Sequence, residues 1–445
     1  MKVRPIIEFP NPGQLLKRLV TPQNRIRFRK LILAVGDQLV FSGSNFLVSV
    51  LLARGMTYDD YGGFTYAYSL FLLLANFHNA LLLEPFTIVG SSQHRFSLRT
   101  YTQRIARLQV YWTLITSGLG LPVGLGIWLA GDAILGQALL GLSLAQGAML
   151  YFWYVRRKWY VAQHIDRALI GTVVYAAVQL ILVFGLQRIG ALTPLSAFAA
   201  IGVAGLVAAG AAQVSKIDDD SVAAALPMPQ VIRENWQYGK WVMLAGILSW
   251  MTWQGYNVLT GSILNLADAG GLKAVQNLVN PVTQLLTAFG LVFMPSIARR
   301  HAEYGDRVMV RDLWLYSIFL TTITVIYWLL LVIFQEPLFD WLYGGQYAEY
   351  RHALPFLALL PIIIALTTSW AIGLRVLRQT RLLFWLDSIG GLLTISVGVV
   401  LVYQYGFTGV IAGSLLSSFS RLPVLIVLWY RATHARASKP QNKQA

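Results

Sequence analysis

The 445-residue chain contains no cysteine. That absence excludes disulfides, thiolate metal sites, iron–sulfur clusters and cysteine nucleophiles together. Histidine is scarce as well: His78, His94, His164, His301, His352 and His434 are the whole set, and no two are spaced i, i+4. The pattern argues against a metal site. Charge is thin, at 12% of residues where a soluble domain carries about 25%. The charge present leans positive, with 35 Lys and Arg against 19 Asp and Glu. In a soluble protein that balance points to nucleic acid. Here a hydrophobic content of 56% and a mean hydropathy of +0.58 point to a membrane, and no nucleic-acid partner is expected. The first thirty residues lack the apolar core of a signal peptide, and the chain has no phosphate-binding G-x-x-x-x-G-K-[ST] loop.

Apolar segments long enough to cross ~30 Å of hydrocarbon occur near 31–53, 62–88, 108–130, 133–154, 168–187, 192–213, 239–263, 270–297, 312–334, 351–374, 382–403 and 408–430. The expected fold is all-α and integral to the membrane, with twelve transmembrane helices. They divide into a cytoplasmic basic segment (1–30), an N-lobe (31–213), a linker (214–236), a C-lobe (237–430) and a tail (431–445). Thirty of the 35 basic residues fall in the termini and in alternate loops, which places both termini in the cytoplasm by the positive-inside rule. That basic face also suits anionic lipid. Tyr61-Gly62-Gly63-Phe64 opens the second span and Ala269-Gly270-Gly271-Leu272 the eighth. Glu84-Pro85-Phe86 and Met294-Pro295-Ser296 sit near the far ends of the same spans. The halves therefore read as a parallel repeat, two six-helix lobes related by a pseudo-two-fold axis around a central cavity.

Polar residues inside spans need a partner or a water-filled cavity. Trp250, Trp253, Gln254, Asn257 and Gly261 share one stripe of the seventh span, and Lys273, Gln276, Asn280, Gln284 and Thr287 one stripe of the eighth. Asp37, Ser44 and Asn45 share a face of the first span, and Thr65, Ser69, Asn76 and Asn79 one of the second. Single amides glue helices together as readily as they line cavities. Four stripes on repeat-related spans favour a polar cavity. His78 lies on the other side of its helix from Asn76 and reads as a packing residue.

The intramembrane charges leave alternatives open. Asp387 and Arg421 lie at matching depths in the last two spans, as a structural pair or with Arg421 as a cation for phosphate. Asp37 and Glu84 lie at similar depths on adjacent spans, either as a pair coupled to protons or sodium or each bound to a cytoplasmic arginine. Arg54 ends the first span on the outer side. No bound cofactor is expected. The short outer loops argue against a membrane-bound glycan polymerase or ligase, so the protein is expected not to be an enzyme.

The run Asp37-Gln38-Leu39-Val40-Phe41-Ser42-Gly43-Ser44-Asn45-Phe46, then Leu52-Ala53-Arg54 and Asp59-Asp60-Tyr61-Gly62-Gly63-Phe64, resembles the first-span signature of bacterial polysaccharide flippases. These form the O-antigen and exopolysaccharide branch of the multidrug/oligosaccharidyl-lipid/polysaccharide exporter (MOP) superfamily. The detailed match covers roughly residues 37–90. The resemblance implies two six-helix lobes whose cavity is lined by spans one, two, seven and eight. It implies as substrate an undecaprenyl-diphosphate-linked oligosaccharide, moved between leaflets of the bacterial inner membrane for surface-polysaccharide biosynthesis. Polymerase and glycosyltransferase partners fit that role. Amides and tryptophans suit sugars, and Arg54, Lys273 and Arg421 are the cations available for a diphosphate. A cation-coupled multidrug or metabolite antiporter of the same superfamily is the alternative.

Overall fold

The computed structural model describes residues 22–92, 97–213, 226–377 and 379–437, and every regular element among them is helical. Most of the basic N-terminal segment, the acidic run Asp218-Asp219-Asp220 and the end of the tail lie outside the described residues. In chain order come α1 (Pro22–Gly55), α2 (Tyr58–His78), α3 (Glu84–Ser92), α4 (Leu98–Leu129), α5 (Ala133–Val161), α6 (Ile165–Arg188) and α7 (Pro194–Gln213). After the linker follow α8 (Met228–Leu259), α9 (Leu266–Tyr304), α10 (Asp306–Ile333), α11 (Gln335–Tyr343), α12 (Leu360–Val376), α13 (Thr380–Leu393), α14 (Val399–Phe419) and α15 (Arg421–Ala437).

Nine helical stretches among the described residues are long and apolar enough to cross a membrane, and the chain is a multi-pass helical membrane protein. The last of these stretches, Leu382–Arg431, is 50 residues long and turns at Gly406, whose φ of 57° is open to glycine. Helices α8 and α9 have the length, 32 and 39 residues, but fall outside that apolar set. Two of the four polar stripes read from the sequence lie on these two helices.

Three π-helical turns interrupt the helices: Asn79–Leu83 joins α2 to α3, Thr260–Leu264 ends α8, and Thr394–Gly398 joins α13 to α14. Such turns insert one extra residue per turn and re-aim the side chains that follow.

One buried apolar cluster, including Leu83, Phe86, Tyr101, Ile105, Trp159 and Val231, is drawn mainly from the first half of the chain. A second, including Leu286, Leu313, Leu320, Ile372 and Leu425, comes from the second half. The largest cluster joins the halves, running from Leu52, Tyr61 and Phe71 to Val275, Tyr343 and Leu354. Helix α7 packs along α5 through small residues. A Cβ at Gly202 would stand 2.9 Å from that of Ala145, so the backbones approach as they do at small-residue contacts in membranes.

Candidate functional site

Helices α2 and α9 begin alike. Thr57 caps α2, its Oγ1 accepting from the Asp60 amide at 3.1 Å, and Asn265 caps α9, its Oδ1 accepting from the Asp268 amide at 2.7 Å. Each cap side chain also donates to the carboxylate of its partner, at 2.7 Å and 2.8 Å. Two residues past each aspartate stands the glycine pair, Gly62-Gly63 and Gly270-Gly271. These two openings pack on each other. A Cβ at Gly62 would fall on the Leu266 carbonyl, and one at Gly270 would lie 2.9 Å from the Tyr58 carbonyl oxygen. The glycines that mark the repeat are therefore the point where its two copies touch.

Just inside that contact is a closed polar triad. Ser49 Oγ of α1 donates to Asn277 Oδ1 of α9 at 3.0 Å, Asn277 Nδ2 donates to Tyr61 OH at 2.9 Å, and the Ser49 and Tyr61 hydroxyls are 2.9 Å apart. Around it pack Tyr343, Tyr347 and Tyr350. Tyr343 OH donates to the Ala274 carbonyl at 2.8 Å and Tyr350 OH to Asp268 at 2.9 Å. The Tyr347 ring lies 4.7 Å from that of Tyr58 and 5.9 Å from that of Tyr61. This assembly seals one end of the molecule between α1–α2 and α9–α11. None of the triad stands on the stripes read from the sequence: Ser49 lies one turn beyond Asn45 and Asn277 directly after Gln276.

The seam between α2 and α8 carries several hydrogen bonds. Tyr66 OH meets Ser262 Oγ at 3.0 Å, Trp250 Nε1 donates to the Ser69 carbonyl at 2.8 Å, and Ser69 Oγ donates at 3.5 Å to Gln254 Oε1, which also accepts from Asn257 Nδ2 of its own helix at 3.0 Å. Asn76 packs against Gly246, where a Cβ would meet its amide. Further along, Asn235 Nδ2 donates to the Leu81 carbonyl at 3.0 Å, and Tyr238 OH donates to Glu84 at 2.8 Å. Trp250 and Gln254 thus bond across to Ser69 of α2, while Asn257 is buried and bonded within α8 and Asn76 packs on Gly246. Asn79 is half-buried within the π-turn.

The first-span face is also corrected. Asp37 is fully buried, and Arg156 of α5 donates to it from two nitrogens at 2.9 Å and 2.6 Å, with Tyr160 OH at 2.6 Å. Gln179 of α6 donates to Ser44 at 2.9 Å. Both residues therefore bind neighbours in their own half of the chain, while Asn45 beside them is half-buried. Asp37 and Glu84 do not form a carboxylate pair: one takes an arginine, the other a tyrosine.

Beyond the seal both α1 and α9 expose residues of their stripes or beside them. Helix α9 exposes Asn280, Gln284 and Thr287, and α1 exposes Gln38, Leu39, Gly43 and Leu47. Gln276 and Lys273 are half-buried above them, with Lys273 Nζ 6.0 Å from the centre of the Tyr68 ring. Arg421 is buried, its guanidinium 5.6 Å from the centre of the Trp253 ring, so two residues singled out separately meet. Arg54 is exposed beside Gly344. The Asp387 side chain lies outside the described residues.

The fold is similar to that of solved transporters of the MOP superfamily. It superposes with a TM-score of 0.74 on an inward-facing multidrug resistance MATE family transporter of that superfamily, at 10% identity over 90% of this chain and 96% of that one. It also superposes on an outward-facing multidrug resistance MATE family transporter (TM-score 0.63, 11% identity, 95% and 99% of the chains). A third likeness is to a MOP superfamily transporter from Pyrococcus furiosus (0.60, 11%, 96% and 100%). At these identities the likeness is one of fold. Residues 141–352 match the polysaccharide biosynthesis protein family, in agreement with the branch that the Asp37–Phe64 run resembles. No curated protein matches the chain.

Proposed function

We propose that the protein is a flippase that carries undecaprenyl-diphosphate-linked oligosaccharide repeat units across the bacterial cytoplasmic membrane, by alternating access of two six-helix, pseudo-two-fold-related lobes. The observation that carries this reading is the asymmetry of α9. Its outer turns are locked to α1 and α2 by Asn277, while Asn280, Gln284 and Thr287 stand exposed one to three turns further on. Amide and hydroxyl groups there offer the donors and acceptors that sugar hydroxyls need. The match to the polysaccharide biosynthesis family supports the substrate class.

Positive charge supports the orientation. Basic residues gather at the end away from the seal, so the seal faces outward and the amide face opens to the cytoplasm, where such lipids are assembled. The higher superposition on the inward-facing neighbour agrees with this direction. The nine apolar stretches, the turn at Gly406 and the two striped helices α8 and α9 support twelve crossings. Glycosyltransferases would supply the cargo and a polymerase would take it onward, and anionic lipid suits the basic face.

A second reading, a cation-coupled multidrug antiporter, is favoured in its substrate class by fold neighbours that are multidrug transporters. One experiment separates the two. In a strain lacking the gene, the wild-type chain restores surface polysaccharide and the Asn280→Leu/Gln284→Leu double variant, present at normal membrane level, does not. Restored drug resistance without restored polysaccharide favours the antiporter.

A further inference from the structure

His78 is the last residue of α2, directly before the Asn79–Leu83 π-turn, and is fully buried. Its Nε2–H is shared with Gln109 Oε1 of α4, which leaves the lone pair on Nδ1. That Nδ1 has no hydrogen-bond partner, and neither do the buried Gln109 Nε2 and Trp112 Nε1. The Trp112 ring stands edge-on to the imidazole, 6.0 Å between centres. Three touching side chains thus carry three buried polar atoms with nothing to bond. Native structures rarely leave such a group without a use.

The titratable groups on the surrounding elements act on other partners or face outward: Tyr101 on α4 donates to Asn235 and lies near Glu234 of α8, and Arg157 on α5 acts on Glu84. Glu84 on α3 accepts from Tyr238 of α8. Arg104 on α4 donates to the Leu226 carbonyl, and Arg107 is exposed. On α5, Tyr154 donates to the Thr102 carbonyl and Tyr151 accepts from Gln213. Asp37 is neutralised by Arg156. His78 is therefore a buried base with no counter-charge, placed where α2 changes pitch.

We propose that His78, with Gln109 and Trp112, is the proton-binding site that couples a pH gradient to the turning of α2 at the Asn79–Leu83 π-turn. In the sealed state an imidazolium at this position meets no carboxylate, so the proton selects a state in which the π-turn has shifted and Nδ1 has gained a partner. A ligand that binds one of two states better shifts the population toward it. Because α2 carries Tyr61 and Gly62 at its other end, the same turn loosens the seal. Low pH therefore opens the seal and high pH closes it. The purpose of this coupling rests on the transport reading, but its detection does not.

The chain has no cysteine, so spin labels sit only where cysteines are placed. Asp59→Cys and Trp341→Cys put one label on each side of the seal at exposed positions. Pulsed electron–electron distances are then measured in the full-length protein in lipid nanodiscs, at about pH 5.5 and about pH 8, on either side of the ordinary histidine range. The expected result is a roughly tenfold larger long-distance fraction at the lower pH, as for an imidazole that takes its proton with ordinary histidine affinity in the open state and not in the sealed one. His78→Gln, neutral at both values, stays sealed at both. His78→Arg, charged at both, stays open at both, and either variant suffices if the other does not fold. A pH response that survives in His78→Gln, or a wild type that shows none, overturns the proposal. Neither result touches the transport reading, which the polysaccharide assay decides separately.

Discussion

Ser49 and Asn277, 228 residues apart in the chain, are joined by a 3.0 Å hydrogen bond between α1 and α9. A shift of 208 positions along the sequence takes Ser49 to Asn257 and Ser69 to Asn277. Asn257 donates to Gln254 at 3.0 Å, and Ser69 donates to the same Gln254 oxygen at 3.5 Å. The caps Thr57 and Asn265, the aspartates Asp60 and Asp268, and the glycines Gly62 and Gly270 obey the same offset. The contact from α1 to α9 and the contact from α8 to α2 are therefore equivalent positions of one repeat used twice. They differ in what lies beyond: α8 remains bonded to the π-turn and to α3 that follow α2, whereas α1 and α9 expose polar and apolar side chains there.

The seal is expected to loosen when its centre is removed. Asn277→Ala leaves the buried hydroxyls of Ser49 and Tyr61 without their amide partner, a cost of about 1–3 kcal/mol. The sealed population falls by roughly 5- to 150-fold. Spin labels at positions 59 and 341 report this as a longer distance at fixed pH.

Bulk at the glycine contact is expected to act the same way by a different cause. Gly62→Val places side-chain carbons on the Leu266 carbonyl, so α2 and α9 cannot approach. Gly270→Ala, whose Cβ would stand 2.9 Å from the Tyr58 oxygen, is milder. The same distance measurement ranks the two variants, with the Gly62 change opening the seal further.

Asp37→Asn is expected to destabilise the protein by about 3–5 kcal/mol, because the Arg156 guanidinium keeps its desolvation cost and loses its counter-charge. Asp37→Asn combined with Arg156→Met recovers much of the loss. Thermal unfolding in detergent checks both. A single variant as stable as wild type would show that the pair is not structural.

Asn257 and Gln284 are expected to separate cleanly, although both lie on stripes read from the sequence. Asn257 is fully buried and bonded to Gln254, so Asn257→Leu lowers stability by roughly 1–2 kcal/mol. Gln284 is exposed, so Gln284→Leu leaves the unfolding midpoint unchanged and impairs function.

Hydropathy and the 3.6-residue period placed the helices well, because the membrane requires long apolar stretches with their backbone bonds satisfied internally. The glycine pairs at 62 and 270 also carried the repeat into the sequence, since a backbone contact leaves no room for another residue. Periodicity says which residues share a face and nothing of what that face meets. Asp37 and Gln284 looked alike as polar groups in spans, yet one meets Arg156 and the other stands exposed. The tyrosine seal was hidden for a related reason. Tyr343, Tyr347 and Tyr350 come to Tyr58 and Tyr61 from nearly three hundred residues away, and composition alone does not distinguish such a clasp from an interfacial belt.

The central claim is that the exposed amide face of α9 carries a lipid-linked oligosaccharide between leaflets. The direct measurement is translocation in proteoliposomes, read as the fraction of a fluorescent undecaprenyl-diphosphate oligosaccharide protected from a membrane-impermeant quencher over time. Wild type is predicted to exchange the lipid between leaflets well above the protein-free rate, and Asn280→Leu/Gln284→Leu to fall back to that rate with its thermal stability intact. A double variant as fast as wild type, or a wild type no faster than protein-free vesicles, would contradict the account.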